Sequence, residues 1–137
     1  MKEQTATELI HGVMPLTATL GVRADNYTPE EVVLSLDWAP ALCTTSGILH
    51  GGVIMALADS AGAACAFLNL PKDASGTATI ESKTNFLGAV TSGSVTATST
   101  PLHAGGTTVV VETAVRDASG RLVAKVTQTQ IVLRPRS

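Results

Sequence analysis

Nearly every residue from Val53 to Leu68 is apolar, and the exceptions are Asp59 and Ser60. A run of that length predicts one long helix at about 51–69, stopped by Asn69-Leu70-Pro71. Residues 31–38 follow another pattern. Val32, Leu34, Leu36 and Trp38 alternate with Glu31, Ser35 and Asp37, as in a half-buried strand. Ahead of it, residues 5–14 predict a short amphipathic helix with Leu9, Ile10 and Val13 on one side, closed by Pro15. A first strand is expected over Leu20–Tyr27, a turn around Pro29, and a loop over 39–50. Beyond the helix the chain is rich in Thr and Val, with strands expected near 77–87, 93–103, 107–117 and 121–133. Thr91-Ser92-Gly93, His103 to Gly106 and Asp117 to Gly120 separate them. Such short connections predict antiparallel pairing of consecutive strands. The outline is an α+β fold: an antiparallel sheet wrapped around one long central helix. With no repeat or linker, residues 1–137 read as one domain, and 1–19 as its helical lead-in.

Composition narrows the setting. Only 15% of residues are charged against 45% apolar, which fits a subunit that buries surface in an oligomer. A net charge of −2 and 3% aromatic residues give nucleic acid neither an electrostatic pull nor a stacking platform. Cys43 and Cys65 lack metal-type spacing, and Cys65 reads as a reduced core residue. The start, MKEQTATELI, has no apolar segment of the signal-peptide kind, so a cytoplasmic location is expected. Val53–Leu68 is slightly short for a membrane span, carries Asp59 and lacks basic flanks, so it is expected to be a core helix with no membrane partner.

The chemistry gathers at that helix. A helix that is apolar all round must be buried, and a lone carboxylate in it costs several kcal/mol unless something uses it. The paired Gly51-Gly52 at its entrance leave the first backbone N–H groups open to an anion. A carboxylate and an exposed helix N-terminus together suit acyl chemistry, with an attacking group and an oxyanion site. Other readings are weaker. Asp59 could cap a backbone segment, Gly51-Gly52 could serve close packing, and Thr79 could be an ordinary strand residue. His50 precedes a helix start, where its ring packs or bonds to the loop. His11 and His103 read as surface residues. Cys65 has no neighbouring base or cation to activate it.

The segments Gly47-x-x-His50-Gly51-Gly52, Leu57-Ala58-Asp59, Thr79 to Leu87 and Gly120 to Ala124 resemble the PaaI-like acyl-CoA thioesterases of the hotdog fold. The resemblance covers about residues 20–133. It implies that Asp59 is the catalytic carboxylate, as nucleophile or as general base on water. It implies that the Gly51 N–H holds the thioester carbonyl oxygen and that Thr79 assists the water or the carboxylate. His50, Gly52, Thr44 and Thr77 are the expected substrate contacts. It implies an acyl-CoA substrate and calls for no metal or other cofactor. Two departures stand out. Thr44 occupies a position where the family often has Asn, and Gly105-Gly106 replaces a frequent Gly-Arg.

Gly51 and Asp59 are eight residues apart, which on one helix is roughly 12 Å of rise. An attacking atom must come within about 3–3.5 Å of its target carbon, so one helix cannot serve one thioester with both groups. A second copy of the chain resolves this: Gly51 of one subunit faces Asp59 of the other, twice per two-fold dimer. An obligate homodimer is expected, with a dimer of dimers as the larger assembly. A non-catalytic acyl-CoA sensor and a hotdog hydratase are the competing functions. The acyl group, aryl or aliphatic, is left open, and none of Lys83, Arg116, Arg121, Lys125, Arg134 and Arg136 is assigned to the coenzyme A phosphates.

Overall fold

A computed structural model describes residues 2–136. Its elements are α1 (Glu3–Val13), α2 (Pro15–Leu20), β1 (Arg23–Tyr27), β2 (Val32–Asp37), α3 (Gly51–Leu68), β3 (Gly76–Phe86), β4 (Ser94–Ala104), β5 (Thr108–Arg116) and β6 (Leu122–Leu133). The strands form one antiparallel sheet in the order β1-β2-β4-β5-β6-β3. Helix α3 lies across one face and touches five of the six strands, β2 to β6. Ile54, Leu57, Ala58, Ala61 and Cys65 turn inward from α3, against Leu34, Leu36, Val95, Val111 and Val126 of the sheet. Burying each large aliphatic side chain contributes about 1.5–3 kcal/mol, so this contact is the main source of stability. The Asn69 side-chain amide ends α3 by donating to the Cys65 carbonyl (2.8 Å), and again to that of Pro29 (2.8 Å).

The structure departs from the sequence pattern at four places. Pro15 does not end helical structure; it opens α2, where proline at the first turn lacks only an N–H that would be unpaired anyway. On α1 the buried residues are Ala6 and Ile10, while Leu9 and Val13 are exposed. Ser35 was expected on the solvent side but is buried, donating to Asp25 at 2.6 Å. Finally, β3 and β4 are consecutive yet do not pair: β3 pairs with β6, and residues 87–93 cross the sheet to reach β4. The other two connections are hairpins. In the second of these, Asp117 Oδ1 accepts from the backbone N–H groups of Ser119 and Arg121, and Gly120 takes the left-handed conformation that the turn needs (φ 88°).

Two consequences of this topology shape the site. First, β3 is an edge strand of 11 residues that is exposed for most of its length, including Ile80 and Phe86. Second, β3 carries a bulge at Ile80: Thr79 pairs with Gln130, but Glu81 pairs with Thr129. Thr77 and Thr79 share the helix-side face before the bulge; Ser82 and Thr84 take it over afterwards, opposite Gln128 and Val126.

Candidate active site

The loop over 39–50 is pinned on both sides before it enters α3. His50 N–H donates to Leu42 O (2.9 Å) and Leu49 N–H to Val90 O (2.8 Å). The Trp38 indole N–H donates to Gly47 O at 3.0 Å. Ser46 (φ 61°) and Gly47 (φ 68°) take left-handed backbone to make the bend. These restraints fix the start of α3. There the His50 imidazole acts as the helix cap, accepting the Gly52 N–H on Nδ1 at 2.8 Å. That bond gives Gly52 a second reason to lack a side chain, since a Cβ would press on the His50 ring. Among the described residues nothing accepts the Gly51 N–H. The ring of Phe86 lies over Gly51, 3.3 Å from where a Cβ would stand. Thr44 is exposed and two residues back from Ser46, its N–H held by Ile48 O at 2.8 Å.

Asp59 is two turns further on. The uniformly apolar run predicted burial, but α3 covers the sheet with only part of its circumference. Gly52, Met55, Asp59 and Phe67 are exposed, with Ala63 partly so, in one stripe at roughly four-residue spacing. The Asp59 carboxylate stands on that stripe and is held from one side. Gln128 Nε2 donates to Oδ1 at 2.6 Å. Loss of water on its protein side raises the Asp59 pKa above the ordinary value, and the Gln128 N–H partly offsets this.

A polar row continues from there along β6 and β3. Gln128 Nε2 also reaches Thr79 Oγ1 (3.3 Å), and Gln130 Nε2 donates to the same oxygen at 2.6 Å. Thr77 Oγ1 lies near Gln130 Oε1 (3.1 Å) and Ile131 O (2.8 Å). Thus Thr77 steadies Gln130, and both acceptor positions of the Thr79 hydroxyl are taken by amides. Its O–H is left as a donor to whatever approaches. The fold therefore gathers Asp59, Thr79 and Thr77 at one place and Thr44, His50, Gly51 and Gly52 at another. Gln128 and Gln130 escaped the sequence reading. The available signal was two amides at inward positions of a strand whose other inward residues include Val126 and Val132.

Several of the other candidates have structural partners instead. Cys65 is buried, and loss of water pushes its thiol up to about 11, so it is protonated at neutral pH. His11 bonds Val22 O at 2.7 Å. Arg121, Lys125 and Arg134 pair with Asp117, Glu112 and Asp73.

Residues 46–124 match the model of the thioesterase superfamily. The chain belongs to the thioesterase superfamily. Several relatives carry the name "Putative esterase". Rv1847 of Mycobacterium tuberculosis is 30% identical over 114 residues, covering 82% of this chain and 81% of that one. SSO2140 of Saccharolobus solfataricus is 33% identical over 115 residues, covering 84% and 81%. A solved structure of Rv1847 superposes with a TM-score of 0.86, over 90% of this chain and 100% of that one. The Haemophilus influenzae thioesterase HI1161 superposes with a TM-score of 0.88 at 23% identity, over 98% of this chain and 92% of that one. At that identity the likeness concerns the fold, which is the hotdog fold of this superfamily. The long apolar helix that could by length and composition cross a membrane is the central helix of that fold, packed on the sheet.

Proposed function

We propose that this thioesterase-superfamily hydrolase cleaves acyl-CoA thioesters at a site shared by two subunits. The observation that carries the reading is an open carboxylate, Asp59, on the same helix as an unpartnered N–H, that of Gly51. Each is half of a thioester site, and roughly 12 Å of helix separates them. Pairing the long β3 edge with that of a second copy would bring α3 beside its two-fold mate, so that each Gly51 faces the other chain's Asp59.

The reaction then runs as follows. The thioester carbonyl oxygen accepts the Gly51 N–H. Asp59, ionised, takes a proton from a water whose oxygen attacks the carbonyl carbon, and the Thr79 O–H orients that water. The tetrahedral oxyanion stays on the Gly51 N–H. Its collapse breaks the C–S bond, and coenzyme A leaves as the thiolate, which takes up a proton, while the free acid departs. In the nucleophilic variant an Asp59 oxygen attacks the carbon itself, thiolate leaves, and water then opens the mixed anhydride at the Asp59 carbonyl carbon. A single turnover in heavy-oxygen water then puts label in the Asp59 carboxylate, whereas the general-base route puts it in the product acid.

The acyl group has a place to go. An apolar groove of about 500 Å³ lies between α1, α3 and the start of β3, lined by Leu9, Val13, Tyr27, Ala63, Phe67 and Thr77. Ala63 is one turn, roughly 6 Å, beyond Asp59. This supports an aryl or medium-length aliphatic acyl group. The test is a panel of acyl-CoAs with detection of free thiol. Turnover of apolar acyl-CoAs that is lost in Asp59→Asn is expected. Equal rates in parent and variant overturn the mechanism. Thr44, with a hydroxyl where the family often has an amide, favours a second reading as a non-catalytic acyl-CoA binder, which binding without thiol release would support.

A further inference from the structure

The Asp59 carboxylate is held by a side chain that is itself fully buried. Gln128 is 0% exposed on β6, yet its amide reaches Asp59 Oδ1 at 2.6 Å. The amide is also caught between neighbours. Its N–H groups face Asp59 and Thr79, while its Oε1 is buried with no hydrogen-bond partner. That oxygen rests against α3 at Gly62, where a Cβ would collide with it. An unpaired buried carbonyl is costly, so the site bears a penalty to keep this arrangement. An amide turned end for end would aim its oxygen at a carboxylate that only accepts. Glycine within a helix also costs about 0.5–1 kcal/mol relative to alanine, so Gly62 is a second cost at the same spot.

We propose that Gln128 is the positioning residue for Asp59, and that Gly62 is glycine in order to admit its amide. The proposal rests on the reading of Asp59 as the reacting carboxylate. Asp59 and Gly62 are three residues apart on α3, so the helix offers the carboxylate and the vacancy on neighbouring turns. Gln130 completes the frame from the next inward position of β6, by fixing the Thr79 oxygen that Gln128 also touches. Among the described residues no other ionisable group faces the carboxylate. The helix-side positions of β3 and β6 around it hold Thr, Ser, Val and Gln. Glu81 and Lys83 pair with Thr129 and Thr127 on the opposite face of the sheet, and Cys65 on α3 is protonated.

The test compares the parent with Gln128→Leu, Gly62→Ala and the double variant. Gly62→Ala meets only the far end of a flexible side chain and favours the helix, so it is expected to fold while driving the amide away. Titration of Asp59 by carbon-13 NMR of the labelled carboxylate is the first readout, and it does not depend on activity. Both single variants should move the midpoint upward, by roughly half to one unit, as the stabilising N–H is lost. The acid limb of kcat/KM should move with it, and the alkaline plateau should stay below the parent's, because the carboxylate is no longer held in place. The double variant should equal Gln128→Leu, because alanine has no amide left to displace. An unchanged or lowered midpoint in Gln128→Leu overturns the proposal. Additive effects in the double variant overturn the role given to Gly62. A parent that hydrolyses no acyl-CoA refutes the underlying reading instead, and leaves the titration to be judged by itself.

Discussion

The two edges of the sheet are built on opposite plans. β1 is 5 residues long, interrupted by a bulge between Ala24 and Asn26, and overlaid by α1, whose Thr7 hydroxyl accepts the Ala24 N–H at 3.0 Å. It carries charge, with Arg23 paired to Asp37. Those are the devices by which proteins blunt an edge against other chains. β3 has 11 residues, exposed apolar side chains at Ile80 and Phe86, and, among the described residues, no covering element on its free side. It also carries Thr79, beside the stripe that presents Asp59. One edge is closed off, and the other is left open beside the proposed site. The difference is what the proposed two-subunit site requires, an edge left free for a second copy.

The sharpest test of that idea uses two variants that are inactive by different routes. Asp59→Asn should lower kcat/KM by about 10²–10⁴, the usual contribution of a positioned base. Gly51→Pro should cost about 10²–10³ through loss of one oxyanion donor. Proline suits the first helical position, and His50 already has the extended backbone (φ −60°, ψ 132°) that precedes a proline, so α3 should form normally. Co-expressing the two variants should restore activity. A mixed dimer has one site with both native groups and one with neither, giving about a quarter of the parent rate for random pairing. Assay of the purified mixture checks this, and no restoration would place both groups of a site in one chain.

The edges themselves can be compared directly. Ile80→Lys puts a charge on the open strand and should dissociate the assembly, with activity falling in step, as sedimentation at micromolar concentration would register. Arg23→Ala on the closed edge removes an exposed ion pair, expected to be worth about 0–1 kcal/mol, and should leave the assembly intact. If both variants behave alike, the contrast between the edges is wrong. A smaller effect is expected at the groove. Ala63→Leu should lower kcat/KM about tenfold for longer acyl groups and scarcely at all for acetyl-CoA, since one or two methylenes of fit are worth about 1–3 kcal/mol. A chain-length series reads this out.

These variants also mark what the sequence could and could not reveal. The central helix and the strands were legible because burial imposes a period: Val32, Leu34 and Leu36 face the core as their alternation requires. Asp59 and Gly51 stood out as candidates because their residue types clash with an apolar helix. What failed was non-local. Residues 87–93 resemble a hairpin turn, yet they cross the sheet, because the pairing of β3 with β6 is decided by the whole topology. The bulge at Ile80 has no local signature, so which β3 residues face the helix could not be read past Thr79. The exposed stripe of α3 was hidden because Met55, Ala63 and Phe67 on it are as apolar as the core residues beside them. Gln128 and Gly62, 66 positions apart, acquire their meaning only when β6 lies against α3.

The smallest expected effect separates function from stability at one residue. Asp59 has its pKa raised in the folded protein by loss of water, so folding favours the protonated form. The folded state is therefore penalised when Asp59 ionises. That penalty is fully present above the raised folded pKa, shrinks as pH falls through it, and vanishes below the ordinary value of 3.8. Asp59→Asn keeps an acceptor for the Gln128 N–H but carries no charge. It should melt slightly above the parent at pH 7, and the gap should close toward pH 4. Solvent on the open stripe keeps the gap small. Thermal melts of both proteins across that range check the sign. A variant less stable than the parent at pH 7 would mean that the charge itself is used in folding. The open edge and its carboxylate would then answer to structure, with no need of a substrate.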